Sequence, residues 1–108
     1  MLRVSQKAIR KLCERIAIEF KPKRIVLFGS HARGRSRPGS DVDLLVVLPF
    51  QGNGIRKAIA ILNHVNPPFP VDLIVKTPGQ LKQRLAWNDF FLREIMEKGR
   101  VLYEATRS

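Results

Sequence analysis

The sequence has little cysteine, little acidic charge and no long apolar run, and these shortages exclude several classes of protein. Its single cysteine, Cys13, cannot form an internal disulfide or a zinc site built from several thiolates. No apolar run approaches the roughly 20 residues that a membrane-spanning helix needs. The charged start, residues 1–7, does not have the continuous apolar stretch of a secretory signal. We therefore expect a cytoplasmic protein that does not span or bind a membrane.

What the sequence does have is positive charge. Lysine and arginine number 20 against 9 acidic residues, which gives a net charge of +11 on 108 residues. Such an excess predicts a polyanionic substrate or partner. A basic nucleic-acid-binding module is one alternative, because residues 21–24 and 33–37 could neutralise phosphates. No aromatic platform or DNA-reading motif accompanies these segments, so the sequence does not favour that alternative.

The spacing of apolar residues predicts one domain, residues 1–108, in which helices and strands alternate. Amphipathic helices are predicted at residues 4–20, 55–65, 79–86 and 88–98, with a further short helix within residues 31–40. Short β-rich runs lie at residues 24–28, 42–48, 71–75 and 101–103. We therefore predict an α/β (α+β) fold with a small mixed β-sheet flanked by helices. Residues 42–48 are almost wholly apolar, which is typical of a central strand covered on both faces.

Three aspartates lie at strand positions. Asp41 and Asp43 are two residues apart at the start of a predicted strand, so their carboxylates project from the same face, roughly 5–7 Å apart. They would repel each other unless a cation lies between them, and carboxylate oxygens suit Mg²⁺. The alternative interpretation is a polar entrance to the strand. Asp72 lies in the apolar strand 71–75, where an isolated acid is costly and requires a partner.

A phosphate-binding turn is predicted directly after the first strand. Gly29 and Ser30 offer backbone N–H groups, a hydroxyl and the start of a short helix, a combination that binds phosphate. Arg33, Arg35 and Arg37 follow, and guanidinium groups suit polyphosphate oxygens, although an arginine-rich loop alone is usually a solvated surface. Three carboxylates and a phosphate-binding turn together indicate two-metal phosphoryl or nucleotidyl transfer.

The runs LFGSHARG at residues 27–34 and SDVDLLV at residues 40–46 resemble the signature of the DNA polymerase β nucleotidyltransferase superfamily. Within it, the chain is most similar to the minimal nucleotidyltransferases of the antitoxin type. The resemblance implies a polymerase β-like palm fold. It also implies that Asp41 and Asp43 hold two Mg²⁺ ions, and that Asp72 completes the metal site and helps to deprotonate the acceptor.

The same resemblance implies that Gly29 and Ser30 cradle the β and γ phosphates of ATP, and that Arg33 contacts phosphate. The implied reaction is in-line attack of an acceptor hydroxyl on the α-phosphorus, with pyrophosphate leaving. In minimal nucleotidyltransferases the implied partner is a small helical HEPN-type protein, with the pair acting as toxin and antitoxin. The sequence also leaves a homo-oligomer open.

Two other interpretations of the same residues compete with this one. Residues 29–36 resemble a Walker A loop in which Arg35 replaces the lysine, but Pro38 and Gly39 interrupt the long helix that such a loop must open. The chain could also be a noncatalytic nucleotide-binding or interaction subunit of a two-component enzyme, an alternative that the three aspartates disfavour.

Two further features have simple structural interpretations. His31 lies within the predicted phosphate loop and could contact nucleotide, but a lone loop histidine is more often a surface residue or a polar group at the start of a helix, which is what we expect here. Trp87, Phe90, Phe91 and Leu92 form a C-terminal aromatic and apolar cluster, which is expected in the core, with a partner surface as the alternative.

Overall fold

The computed structural model describes residues 3–105, and within them the predicted order of elements is confirmed with one exception. The elements are α1 (Gln6–Phe20), β1 (Arg24–Phe28), β2 (Val42–Val47), α2 (Gly54–Val65), β3 (Val71–Lys76), α3 (Pro78–Ala86), α4 (Phe90–Lys98) and β4 (Arg100–Glu104). The exception is the short helix expected within residues 31–40, where the chain forms turns instead. That prediction was wrong because Gly34 and Gly39 adopt positive φ angles and Pro38 interrupts the backbone hydrogen bonding.

The four strands form a mixed sheet in the order β3-β2-β1-β4. Strand β1 runs antiparallel to β2 and β4, whereas β2 and β3 are parallel and are connected through α2. Strand β2 is therefore interior, and five of its six residues are buried, which confirms the predicted central strand. The predicted fold class, a small mixed sheet flanked by helices, is confirmed.

Helices cover both faces of the sheet. Leu44 and Val46 of β2 pack with buried residues of α1 and α2, whereas Leu45 and Val47 pack with α3 and α4. Because side chains alternate along a strand, Asp43 lies on the same face as Leu45 and Val47. The face that carries Asp43 is therefore the one that α3 and α4 cover.

Side-chain caps fix where the helices on this face begin. Thr77 and Gln80 form a reciprocal capping box at the start of α3, and the Asp89 carboxylate accepts a hydrogen bond from the Leu92 N–H at the start of α4. The first turn of α4 lies beside the end of β1, because the rings of Phe91 and Phe28 are in contact. Within residues 3–105, no helix has the length and apolar character needed to cross a membrane.

Candidate active site

Two of the predicted aspartates lie side by side in the sheet. Asp43 of β2 and Asp72 of β3 are register partners on parallel strands, which are about 4.8 Å apart. Asp41 immediately precedes β2 and lies two residues before Asp43, so strand alternation places it on the same side. Asp43 is half-buried, whereas Asp41 and Asp72 are exposed. Asp72 is thus not enclosed in an apolar neighbourhood as the sequence suggested, because β3 is an outer strand.

The surroundings of Asp43 oppose the ionisation of its carboxyl group. Burial raises the pKa of Asp43, and the negative charges of Asp72 and then Asp41 raise it further, while His31 acts in the opposite direction. Asp43 and its two neighbours therefore repel one another when ionised. A cation placed among them would relieve that repulsion.

Gly29 brings the backbone against the Asp43 carboxylate. Phe28, the last residue of β1, is the register partner of Asp43, and Gly29 follows it with a φ of +73°. A Cβ added to Gly29 would collide with Asp43 Oδ2, so only glycine permits this approach. The Gly29 carbonyl then accepts hydrogen bonds from the N–H groups of Ala32, at 3.2 Å, and Arg33, at 3.3 Å. The predicted Gly-Ser turn thus lies directly beside the carboxylate pair.

His31 is buried inside the loop that joins this turn to Asp41, so the expectation of a surface histidine was wrong. Its Nε2 lies 3.2 Å from the Ser40 carbonyl oxygen, and its own carbonyl accepts a hydrogen bond of 3.3 Å from Gln6 Nε2 of α1. The residue is 1% exposed, and its Nδ1 has no hydrogen-bond partner in the described part of the chain. His31 therefore connects the two ends of the loop, which carry Ser30 and Asp41, and anchors them to α1.

A cavity of about 410 Å³ opens beside these groups. The polar part of its lining includes Gly29, Asp43, Asp72, Arg33 and Glu94. Arg33 Nη2 lies 3.0 Å from Glu94 Oε1, so the arginine expected at the phosphates is held by an acid of α4. Glu94 was not predicted from the sequence, because the ion pair joins residues 61 positions apart.

Two further predicted site residues, Ser30 and Asp41, are close in sequence to residues that line the cavity but do not line it themselves. Ser30 is half-buried in the turn that follows Gly29, and the Ser30 carbonyl accepts a hydrogen bond of 2.9 Å from the Arg35 N–H. The structure therefore brings Gly29, Arg33, Asp43 and Asp72 to one cavity, whereas Ser30 and Asp41 are not among the residues that line it.

Apart from Lys98 and Gly99, the remaining lining is apolar, and it includes side chains expected in the core. Phe90 is 78% exposed and Phe91 is 54% exposed, and both line the cavity together with Phe28. Trp87 is 68% exposed and lies outside it. Of the C-terminal cluster only Leu92 is buried, so the core prediction was correct for Leu92 and wrong for the three aromatic residues.

The aspartates could supply the protein ligands of a divalent cation whose other ligands come from the substrate. In residues 3–105, no group of three or more His, Cys, Asp or Glu side chains is arranged to hold a metal ion by itself. Mg²⁺ in phosphoryl-transfer sites is usually held by one or two carboxylates together with substrate phosphates. The neighbouring carboxylates of Asp43 and Asp72, with the charge of Asp41 close enough to affect Asp43, fit that arrangement.

Comparison with known proteins gives a match over nearly the whole chain. The family model of the nucleotidyltransferase domain matches residues 6–102. A protein of Methanocaldococcus jannaschii that is named as a candidate protein adenylyltransferase is 29% identical over 100 residues, which cover 91% of this chain and 97% of that protein.

Two crystal structures of toxin–antitoxin pairs share the fold. The first is a toxin–antitoxin with AMP-PNP. The match to it covers 95% of this chain and 76% of the other chain, with a TM-score of 0.59 and 21% sequence identity. The second is the toxin–antitoxin MntA–HepT. The match to it covers 94% of this chain and 74% of the other chain, with a TM-score of 0.57 and 18% sequence identity. At sequence identities this low, the similarity to these two structures shows a shared fold.

Proposed function

This chain belongs to the nucleotidyltransferase domain family, since the family model spans residues 6–102, and we propose that it transfers AMP from ATP to a hydroxyl group of a partner protein. The observation that carries the proposal is the pairing of Asp43 with Asp72 directly beside the Gly29 turn. Carboxylates next to a backbone turn that accepts phosphate form the arrangement needed to handle a metal-bound triphosphate.

Asp41 and Asp43 would hold the two Mg²⁺ ions, and Asp72 would complete the site. When bound, Mg²⁺ neutralises phosphate charge and orients the α-phosphate for in-line attack. Asp72 is the most accessible of the paired acids and lies on an outer strand, so an acceptor hydroxyl can reach it. We therefore assign to Asp72 the role of accepting the proton from the acceptor hydroxyl.

Gly29 and Ser30 would cradle the β and γ phosphates through the turn that follows β1. Glycine at position 29 lets the phosphates and the Asp43 carboxylate approach the same stretch of backbone. Arg33 lies in the same turn, and binding of the triphosphate would draw it from Glu94 to phosphate oxygens. The acceptor oxygen forms a bond to the α-phosphorus, the bond to the pyrophosphate oxygen breaks, and AMP remains on the acceptor.

We propose that the acceptor belongs to a small helical HEPN-type protein, with the two chains acting as toxin and antitoxin. Support comes from the MntA–HepT pair and from the toxin–antitoxin with AMP-PNP, an ATP analogue, both of which share this fold. The M. jannaschii relative is itself named for protein adenylylation. These likenesses favour a protein acceptor over a nucleic acid or a small molecule.

The test is a transfer assay with α-labelled ATP, Mg²⁺ and a HEPN-type protein as the candidate acceptor. We expect label on the partner, and we expect Asp41→Asn, Asp43→Asn and Asp72→Asn each to reduce it to background. Glu97→Gln, which removes an exposed acid of α4 outside the cavity, is the matched control and retains transfer. Asp43→Asn should unfold at or above the wild-type temperature, because the amide is not repelled by Asp72 and Asp41.

Full transfer by Asp43→Asn, or transfer in the presence of excess chelator, would contradict the proposal. Metal-dependent ATP binding without label on protein, RNA or small molecules would instead favour the noncatalytic subunit.

A further inference from the structure

Three phenylalanines form an apolar wall at one side of the active-site cavity, and we call them the aromatic rim: Phe28, Phe90 and Phe91. The rings of Phe28 and Phe91 meet edge to face, with centroids 5.9 Å apart and planes at 86°. The two rings therefore bound a corner of the cavity. Phe90, the first residue of α4, extends the wall outward.

The residues of α4 that are buried against the sheet do not include Phe90 and Phe91. The helix buries Leu92 and Ile95 against the sheet, while Phe90 and Phe91 lie in its first turn and remain more than half exposed. Two adjacent exposed phenylalanines are unfavourable in water, and large exposed apolar groups commonly mark binding sites.

The cavity has a polar side, formed by Gly29, Asp43 and Asp72, and an aromatic side, formed by the aromatic rim, within one volume of about 410 Å³. The two sides adjoin, because Phe28 is the register partner of Asp43 and immediately precedes Gly29. A ligand that fills both sides needs a metal-binding anionic part joined to a flat apolar part. A nucleoside triphosphate has this shape, and its base can stack on an aromatic side chain.

We propose that the aromatic rim binds the base of the nucleotide, with Phe91 as the principal contact and Phe28 holding its ring in place. This inference rests on the proposed function, because it takes the polar side of the cavity as the triphosphate site. The rim supplies ring faces and no polar atoms, and stacking is tolerant of base identity. We therefore expect ATP and GTP to bind within a few-fold of each other.

The test compares binding of ATP and of inorganic tripolyphosphate, both with Mg²⁺, by isothermal titration calorimetry. Phe91→Ala should weaken ATP binding by about 5- to 150-fold, the range for loss of one stacking contact, and leave tripolyphosphate unchanged. Phe91→Tyr should restore ATP binding. The matched control is Trp87→Ala, which removes another exposed aromatic ring, one outside the cavity, and should leave both affinities unchanged.

Unchanged ATP affinity in Phe91→Ala, or equal weakening of ATP and tripolyphosphate, would overturn the base site. Phe91→Ala that binds ATP normally but no longer modifies the partner would overturn it in favour of a protein-docking surface. Because the readout is binding, it is independent of transfer. If Phe91→Ala selectively loses ATP affinity and the wild-type protein transfers no AMP, the base site is supported and the proposed transferase activity is refuted.

Discussion

Replacing Gly29 with alanine tests the contact on which the candidate site depends. Gly29 and Gly34 lie in the same connection, and both have positive φ angles, +73° and +68°. They differ in their surroundings, because a Cβ at Gly29 collides with the Asp43 carboxylate, whereas a Cβ at Gly34 has open space within 4 Å. Gly34→Ala is therefore a matched control for the backbone cost alone.

The expected magnitudes follow from this difference. A left-handed conformation costs a non-glycine residue about 1–2 kcal/mol, so Gly34→Ala should lower the free energy of unfolding by about that amount. Gly29→Ala should incur the same cost and a further ~1–3 kcal/mol from overpacking, since Asp43 must move. Displacing Asp43 also disturbs its pairing with Asp72. We therefore expect Gly29→Ala to weaken Mg²⁺-dependent ATP binding at least about tenfold, whereas Gly34→Ala preserves it.

The assay is urea unfolding of both variants, followed by calorimetric titration with ATP and Mg²⁺ under conditions where both are folded. Equal losses of unfolding free energy, together with equal ATP affinities, would refute the close approach of the Gly29 backbone to Asp43 as the basis of the site.

Three other substitutions or treatments test separate parts of the account. Glu94→Gln frees Arg33 from an exposed ion pair worth about 0.2–1 kcal/mol, so calorimetry should show ATP binding about 1.5- to 5-fold tighter, and weaker binding would argue against a phosphate role for Arg33. His31→Ala removes the buried ring that joins the two ends of the site loop, and urea unfolding should show a loss of about 1–3 kcal/mol; wild-type stability would contradict that role. Burial, with a smaller contribution from the charge of Glu14, raises the pKa of the Cys13 thiol from 9.0 to about 12, so at pH 8 the thiolate fraction is about 1000-fold lower than in the unfolded chain. Iodoacetamide should therefore alkylate the folded protein far more slowly than the urea-unfolded protein, and comparable rates would show that Cys13 is accessible.

The carboxylate pair could be predicted in part from the sequence. The i, i+2 spacing of Asp41 and Asp43 at the mouth of an apolar strand indicates a shared face without any knowledge of the fold. The position of Asp72 beside Asp43 depends on parallel pairing of β2 and β3, which the intervening helix α2 makes possible. The order of elements predicted from periodicity included that connection, but the residue-by-residue register came only from the structure.

The parts that the sequence did not reveal depend on long-range contacts. His31 is buried because Ser40 and Gln6 lie against it, and neither contact follows from local polarity. Phe90 and Phe91 were expected in the core because they are large and apolar. The Asp89 cap instead starts the helix immediately before them, and the stripe that faces the sheet consists of later residues.

The most direct test of nucleotidyl transfer is to present the protein and the proposed HEPN-type partner with ATP labelled at the α-phosphate or, in a parallel reaction, at the γ-phosphate. We predict that the α label becomes attached to the partner and the γ label is released as pyrophosphate, with both processes lost in Asp43→Asn and retained in Glu97→Gln. Attachment of the γ label to the partner would show phosphoryl transfer. It would contradict the assignment of this site as one that transfers AMP.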